Sequence, residues 1–302
     1  MSQRVQALYL EVTRAAWLGL LVNLTLGLAK LIGGIVGNSF ALIADAVNSW
    51  GDVIATLVVL YSLRVAQRPA DAEHPYGHTR AEGIAAATVS LLIIGSALVV
   101  GWEALQRIAL QHPIPPVWTL WIAGTNVVIK EGLYRYKLAV GRRTGSTAII
   151  ANAWDHRSDA LCALAVLLGL GAIRWGGPAW IWADEVASLV VVLAILWHGW
   201  HLFRQSASEL MDAQADPGLV LSIRRIAETV PDVLAIEKLW VRKSGLEYFV
   251  DIHIQVASTM TVAAGHAVGH RVKDRLIAEC PALRDVLVHL EPYPHTHSAE
   301  MR

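Results

Sequence analysis

The sequence predicts a membrane protein: an all-α bundle of six transmembrane helices, followed by a C-terminal α+β domain of order α-β-β-α-β. Three observations carry this expectation. Hydrophobic residues make up 55% of the chain and charged residues only 17%, against about 25% charged in ordinary soluble domains. Six stretches approach or exceed the ~20 apolar residues that a helix needs to cross a bilayer. After Arg204 the apolar runs give way to short amphipathic segments. The expected division is therefore 1–205 for the membrane part and 206–302 for the domain and a short tail.

The first span covers roughly residues 15–36. At about 22 apolar residues it is too long for the h-region of a signal peptide, and MSQRVQALYLEVTRAAW shows no cleavage pattern, so it reads as a retained span. The second span (40–63) and the fifth (146–173) are long enough but contain aspartates, while the third (84–106) is the cleanest. The fourth (116–134) carries Lys130 and Glu131 at or near its inner end, and the sixth covers 178–203. Basic residues gather after span two (Arg64, Arg68, Arg80) and after span four (Arg135, Lys137, Arg142, Arg143). The opposite loops carry none, or only Arg107 and Arg174, so the positive-inside rule puts both termini in the cytoplasm. Trp175, Trp180 and Trp182 mark the outer edge, and Trp197 and Trp200 the inner one.

In the C-terminal part, Asp216 is an expected N-cap with Pro217 at the first helical position. AIEKLWVRKSG and LEYFVDIHIQVAS alternate at period two around Lys243-Ser244-Gly245, a hairpin signal. TVAAGHAVGHRVKDRLIAEC reads as a second amphipathic helix and DVLVHLEP as a last strand.

Other compositional signals exclude more than they suggest. Twenty-five basic and 25 acidic residues cancel, so no nucleic-acid or acidic partner is implied. Cys162 and Cys280 are too few for a disulfide framework or a four-thiolate zinc site. Gly169-Leu170-Gly171 lacks a following phosphate loop and no Walker sequence exists, so no nucleotide site and no ATP drive are expected.

The chemistry lies in the aspartates of spans two and five. In ALIADAVNSWGD, Asp45, Asn48 and Asp52 share one helix face, and in span five Asp155 and Asp159 stand one turn apart. Counted from the span ends, the two pairs lie at depths of roughly 12–20 Å, near the middle of a ~30 Å core. Each carboxylate there costs at least about 2.5 kcal/mol, and three repel one another. A divalent cation in an all-oxygen cage compensates directly; hydrogen bonding between helices accounts poorly for three aspartates in matched pairs.

SFALIADAVNSWGD, PADAEHPYGH and IIANAWDHRSDAL, in this order, resemble the cation diffusion facilitator family over essentially the whole chain. The resemblance implies a homodimeric exporter of divalent metal in exchange for protons, with a metallochaperone-like cytoplasmic domain, in a bacterial inner membrane. It implies a transport site of Asn48, Asp52, Asp155 and Asp159, with Asp45 nearer the outer mouth. Zinc-type members resemble HxxxD or DxxxD in span two and HxxxD in span five. The NxxxD and DxxxD pairs here resemble the manganese-type or iron-type branches, because carboxylate and carbonyl oxygens suit harder metals. Mn2+ or Fe2+ is therefore the expected substrate, ahead of Zn2+. His156 is turned about 100° from the ligand face; a one-residue register shift would bring it into the site and favour Zn2+, Cd2+ or Co2+.

Further positions follow from the same resemblance. Asp71, His74 and His78 match a second metal site in the loop after span two. Arg80 and Asp212 match an ion pair that ties the membrane part to the soluble domain. Glu237, His253, His266, His289 and Glu291 match a regulatory metal site, with His270 one turn after His266 as a substitute; His295 and His297 form a tail pair. Metal is thus expected as substrate and as regulator. Two rival readings belong to other classes: an intramembrane aspartyl protease, whose GxGD motif is absent, and a non-transporting metal-binding scaffold of the same fold.

Overall fold

The computed structural model describes residues 3–36, 40–107, 117–176 and 182–294; the side chains of Asp45, Asn48 and Cys162 lie outside the described residues, as do His295 and His297. Six long helices come first: α1 (Gln3–Val36), α2 (Phe40–Ala66), α3 (Ala81–Arg107), α4 (Val117–Thr144), α5 (Thr147–Gly176) and α6 (Trp182–Leu210). The shortest have 27 residues, about 40 Å at 1.5 Å per residue, which exceeds the ~30 Å hydrocarbon core. Among the described residues, Arg4–Ile32, Ser49–Ala66 and Ala81–Trp102 are apolar and long enough to cross a membrane. Helices α4 and α5 instead carry charged residues within their length.

Helix α4 differs from the expected fourth span. It runs ten residues past Tyr134, because Asn126, Lys130, Leu133, Tyr134, Lys137 and Val140 continue one buried stripe at helical spacing. Lys130 therefore sits in the middle of the helix rather than at its inner end, and Lys137 is a buried helical residue rather than a basic loop residue. The helix stops at Gly145, whose φ of +78° is open to glycine at no steric cost. Gly145 N–H donates to the Gly141 carbonyl at 2.8 Å, and Ser146 Oγ accepts from Ile149 N–H at 3.3 Å, so the chain turns directly into α5. Ser146 Oγ also donates to the Glu82 carboxylate on α3. Helix α5 packs against α2, α3 and α4, which makes it the central element of this unit.

The chain divides into two compact units, Tyr9–Ala207 and one that holds Ser208 to the last strand. In the second, α7 (Pro217–Glu228), β1 (Ala235–Ser244), β2 (Glu247–Ala257), α8 (Val262–Glu279) and β3 (Leu283–Tyr293) follow in order. Asp216 caps α7 by accepting from Gly218 N–H at 2.8 Å, and Thr261 caps α8 by accepting from Ala264 N–H at 3.2 Å. Strand order is β1-β2-β3, antiparallel between β1 and β2, parallel between β2 and β3 with α8 as the crossover. The hairpin turns at Gly245-Leu246 with Gly245 at φ +61°, so Lys243 and Ser244 close β1 rather than forming the turn. One sheet face buries Leu239, Val241, Val250, Ile252 and Ile254 against Ile223 of α7 and Val268, Val272 and Leu276 of α8. The alternation that makes this core leaves His253 on the other face.

Lys273 of α8 donates to Asp285 of β3 at 2.5 Å and holds its carboxyl below the usual carboxylate range. A depressed native pKa means that the unfolded state binds the proton first as pH falls. The stabilisation from this pair is thus present above the ordinary aspartate pKa and lost as pH drops through the depressed one. Acid titration of the domain from Ser208 onward, followed by circular dichroism, should show a shallower loss of stability for Asp285→Asn than for wild type in that window.

Candidate metal centre

Four helices bring their polar side chains to one buried point. Lys130 Nζ on α4 donates to Asp52 Oδ2 of α2 at 2.5 Å, to Asp159 Oδ2 of α5 at 2.9 Å and to Asn23 Oδ1 of α1 at 3.1 Å. Lys130 is 1% exposed, Asn23 0% and Asp52 6%, while Asp159 is partly exposed, so the cluster is screened from bulk water except on the Asp159 side. Carboxylates from α2 and α5 thereby lie within 3 Å of a single cationic group. Asp155, one turn before Asp159, is also buried, and its Oδ2 accepts no hydrogen bond. A buried carboxylate oxygen without a donor is costly and is a natural place for a cation. The three aspartates are not gathered into one set with every ligand atom within 4.8 Å of the others; among the described residues only two such groups of three exist, both outside the helical bundle. Asn48 lies one turn before Asp52 on α2, with its side chain outside the described residues.

A second polar layer lies two helical turns along α4. Lys137 Nζ donates to Asn152 Oδ1 at 2.5 Å and meets His156 Nε2 at 2.8 Å. Asn152 Nδ2 reaches Thr56 Oγ1 at 3.3 Å, and that hydroxyl donates to the Asp52 carbonyl at 2.9 Å, which links this layer to the first. His156 is fully buried and faces Lys137. With the ammonium charged, Nε2 accepts, which places the ring proton on Nδ1, an atom without a partner. The imidazole is thus engaged away from the Asp155–Asp159 face. Helix α1 contributes a glycine here: a Cβ on Gly19 would land on the Lys137 ammonium.

Sequence reasoning missed Lys130 as a site residue, together with Asn23, Lys137 and Asn152. The signal is the spacing of Asn126, Lys130 and Lys137 on one helical stripe, of which a span ending at Tyr134 omits Lys137.

Between α2 and α3, Asp71 organises a short loop. Its Oδ1 accepts from the His74 and Glu73 backbone N–H groups at 2.7 and 3.1 Å, and lies 3.2 Å from His74 Nδ1. His78 Nε2 stands 3.4 Å from Asp71 Oδ2, and its Nδ1 lies 3.2 Å from the Pro69 carbonyl. The backbone hydrogen bond from His74 is the main influence that holds the Asp71 carboxyl below its ordinary value, with the two imidazoles adding to it. One carboxylate with two imidazoles at this spacing forms a donor set that suits a divalent ion.

The parallel register sets His253 of β2 opposite His289 of β3. Glu291 Oε1 lies 2.7 Å from His253 Nδ1 and 3.7 Å from His289 Nε2, and Trp240 of β1 packs edge-on to His253 at 5.6 Å. Glu237 and His266 do not join this group. A bulge between Ile236 and Lys238 takes Glu237 out of register. His266 sits on α8, which covers the core face while His253 points from the other; it meets His270 instead, with their Nε2 atoms 3.1 Å apart. Asp212, at φ +59°, accepts from Arg242 Nη1 at 3.3 Å.

Two family models match the chain: the cation efflux transmembrane domain over residues 16–211, and the cation efflux protein cytoplasmic domain over 216–293. The chain is 30% identical to the manganese efflux system protein MneP of Bacillus subtilis, across 93% of this chain and 96% of that protein. It is 32% identical to the magnetosome protein MamB of Magnetospirillum gryphiswaldense, across 92% and 93% of the two chains. With metal tolerance protein 2 of Oryza sativa it shares 31% identity, across 90% of this chain and 76% of that one.

Gly19→Ala should displace the Lys137 ammonium and leave Asn152 and His156 buried without their donor, at a cost of about 1–3 kcal/mol. Gly27 lies on the same helix, and a Cβ there would make only an ordinary 3.5 Å contact with Ser49. Thermal unfolding in detergent should therefore fall for Gly19→Ala and stay near wild type for Gly27→Ala.

Proposed function

The chain belongs to the cation diffusion facilitator family, and from that premise we propose that it exports a hard divalent transition-metal ion, Mn2+ or Fe2+ ahead of Zn2+, in exchange for protons. The observation that carries this reading is the convergence of Asp52 and Asp159, from two helices, on one buried positive group at 2.5 and 2.9 Å. Oxygens placed to hold an ammonium are placed to hold a metal ion once that ammonium yields. In this reading Asn48, Asp52, Asp155 and Asp159 are the transport ligands, and Asp45 lies toward the outer mouth.

An all-oxygen set favours harder ions than an imidazole-bearing one. His156 stays outside the set because Lys137 engages it. The similarity to a manganese efflux system protein points the same way. Metal enters from the cytoplasmic side, the helices rock to an outward-open arrangement, and protons from the outer side compete for the same oxygens as the metal leaves. The protein acts as a homodimer in a bacterial inner membrane with both termini cytoplasmic. Asp71, His74 and His78 offer a second binding position. His253, His289 and Glu291 form a regulatory one, at which cytosolic metal biases the dimer toward one arrangement.

Uptake of Mn2+, Fe2+, Zn2+ and Co2+ into proteoliposomes under an imposed pH gradient tests this directly. Asp159→Ala should reduce flux to the protein-free background, whereas retained flux would move the site elsewhere. In the same assay Asp155→His should shift the ranking toward Zn2+. An unchanged ranking would mean that ligand hardness is not the selector.

A further inference from the structure

We infer that Lys130 is a tethered cation that trades places with the transported metal, resting on Asp52 and Asp159 when the site is empty and on Asn126 when it is filled. The inference rests on the reading of Asp52 and Asp159 as metal ligands.

Three observations support it. First, the ammonium has three N–H donors and uses all three here, on Asp52, Asp159 and Asn23. The oxygens that would bind metal are therefore already engaged by a positive charge. A divalent ion and an ammonium cannot both occupy them, because like charges at such separations repel strongly where water is excluded. Metal binding thus requires Lys130 to leave.

Second, a place to go exists on its own helix. Asn126 is one turn before Lys130, is buried, and its Oδ1 accepts no hydrogen bond. Helical side chains lean toward the N-terminus, so a lysine that lets go of its carboxylates swings naturally toward position i−4. The orphaned carbonyl oxygen is otherwise an unexplained cost in a buried position.

Third, the residue is built into the centre and not into a rim. Lys130 is 1% exposed and belongs to α4, whereas its carboxylate partners belong to α2 and α5. The exchange is positional: the lysine stays charged throughout, and no proton moves onto or off it. A tethered competitor at high effective concentration lowers the apparent metal affinity and helps to expel the metal. It makes Lys130 a determinant of affinity and release.

The test measures Mn2+ binding to the detergent-solubilised full-length protein, and Mn2+ flux in proteoliposomes, with the binding lost in Asp159→Asn defining the share of this site. Lys130→Gln should bind Mn2+ about tenfold more tightly and lower KM, with a reduced maximal rate because release loses its competitor. Structural damage does not tighten binding. Asn126→Leu should act in the opposite direction, weakening binding about threefold, because the displaced ammonium has no acceptor. In the double variant the Asn126 effect should vanish, since it acts only through Lys130. Should Lys130→Gln fail to accumulate, Asn126→Leu decides alone: unchanged affinity overturns the exchange. Equal or weaker binding in Lys130→Gln, with binding lost in Asp159→Asn, also overturns it and leaves the transport site standing. Full binding and flux in Asp159→Asn would sink the site reading itself, and the exchange with it.

Discussion

A single ammonium group, Lys130 Nζ, holds the helical unit together at its centre. It meets side chains from α1, α2 and α5, while its own helix is α4. In a lipid environment the hydrophobic effect does not distinguish one apolar helix face from another, so interior polar contacts carry much of the specificity of packing. A buried carboxylate cannot face hydrocarbon, and a buried ammonium cannot either. Each obliges the other's helix to be present. The register of α4 against α5 follows from this, with the tight turn at Gly145 bringing the two helices side by side.

The same constraint organises the next layer. Lys137 finds Asn152 and His156, and Asn152 reaches Thr56 on α2. Lys30 of α1 meets Ser49 of α2 at 3.1 Å. Three lysines are thus absorbed inside the bundle, each facing oxygen or imidazole partners from another helix. Partners supplied across helices turn charges that would disfavour a lone span into the contacts that define the assembly.

Much of this was legible in the sequence, for stated physical reasons. Matched i,i+4 pairs in two apolar runs point to a shared divalent ion, and in the structure Asp52 and Asp159 share the Lys130 ammonium instead. Alternation on the last strand puts His289 and Glu291 on one face, the resemblance adds His253, and the parallel pairing of β2 with β3 makes His253 and His289 neighbours. What is not legible lies in the charged half of α4. Arg135, Lys137, Arg142 and Arg143 follow Tyr134 closely, so the continuation of α4 looks like a basic loop in the sequence although Lys137 is buried in the helix. Lys130 lies inside the expected span but at its inner end, so it is not assigned to the site, whereas the longer helix puts it mid-length. Glu237 and His266 join His253 only through the family resemblance, but a bulge and the covered sheet face separate them; neither is written in residue spacing.

The central claim is that one divalent ion is held between carboxylates of α2 and α5. The most direct measurement is the structure of the Mn2+-loaded protein, with the ion located by anomalous scattering at the manganese edge. The account predicts a peak bonded to oxygens of both Asp52 and Asp159 at about 2.0–2.6 Å, the range of hard cations on oxygen ligands, with the Lys130 ammonium withdrawn from them. A bundle that carries no manganese there, with Lys130 still bridging the two carboxylates under saturating metal and active transport, would contradict it.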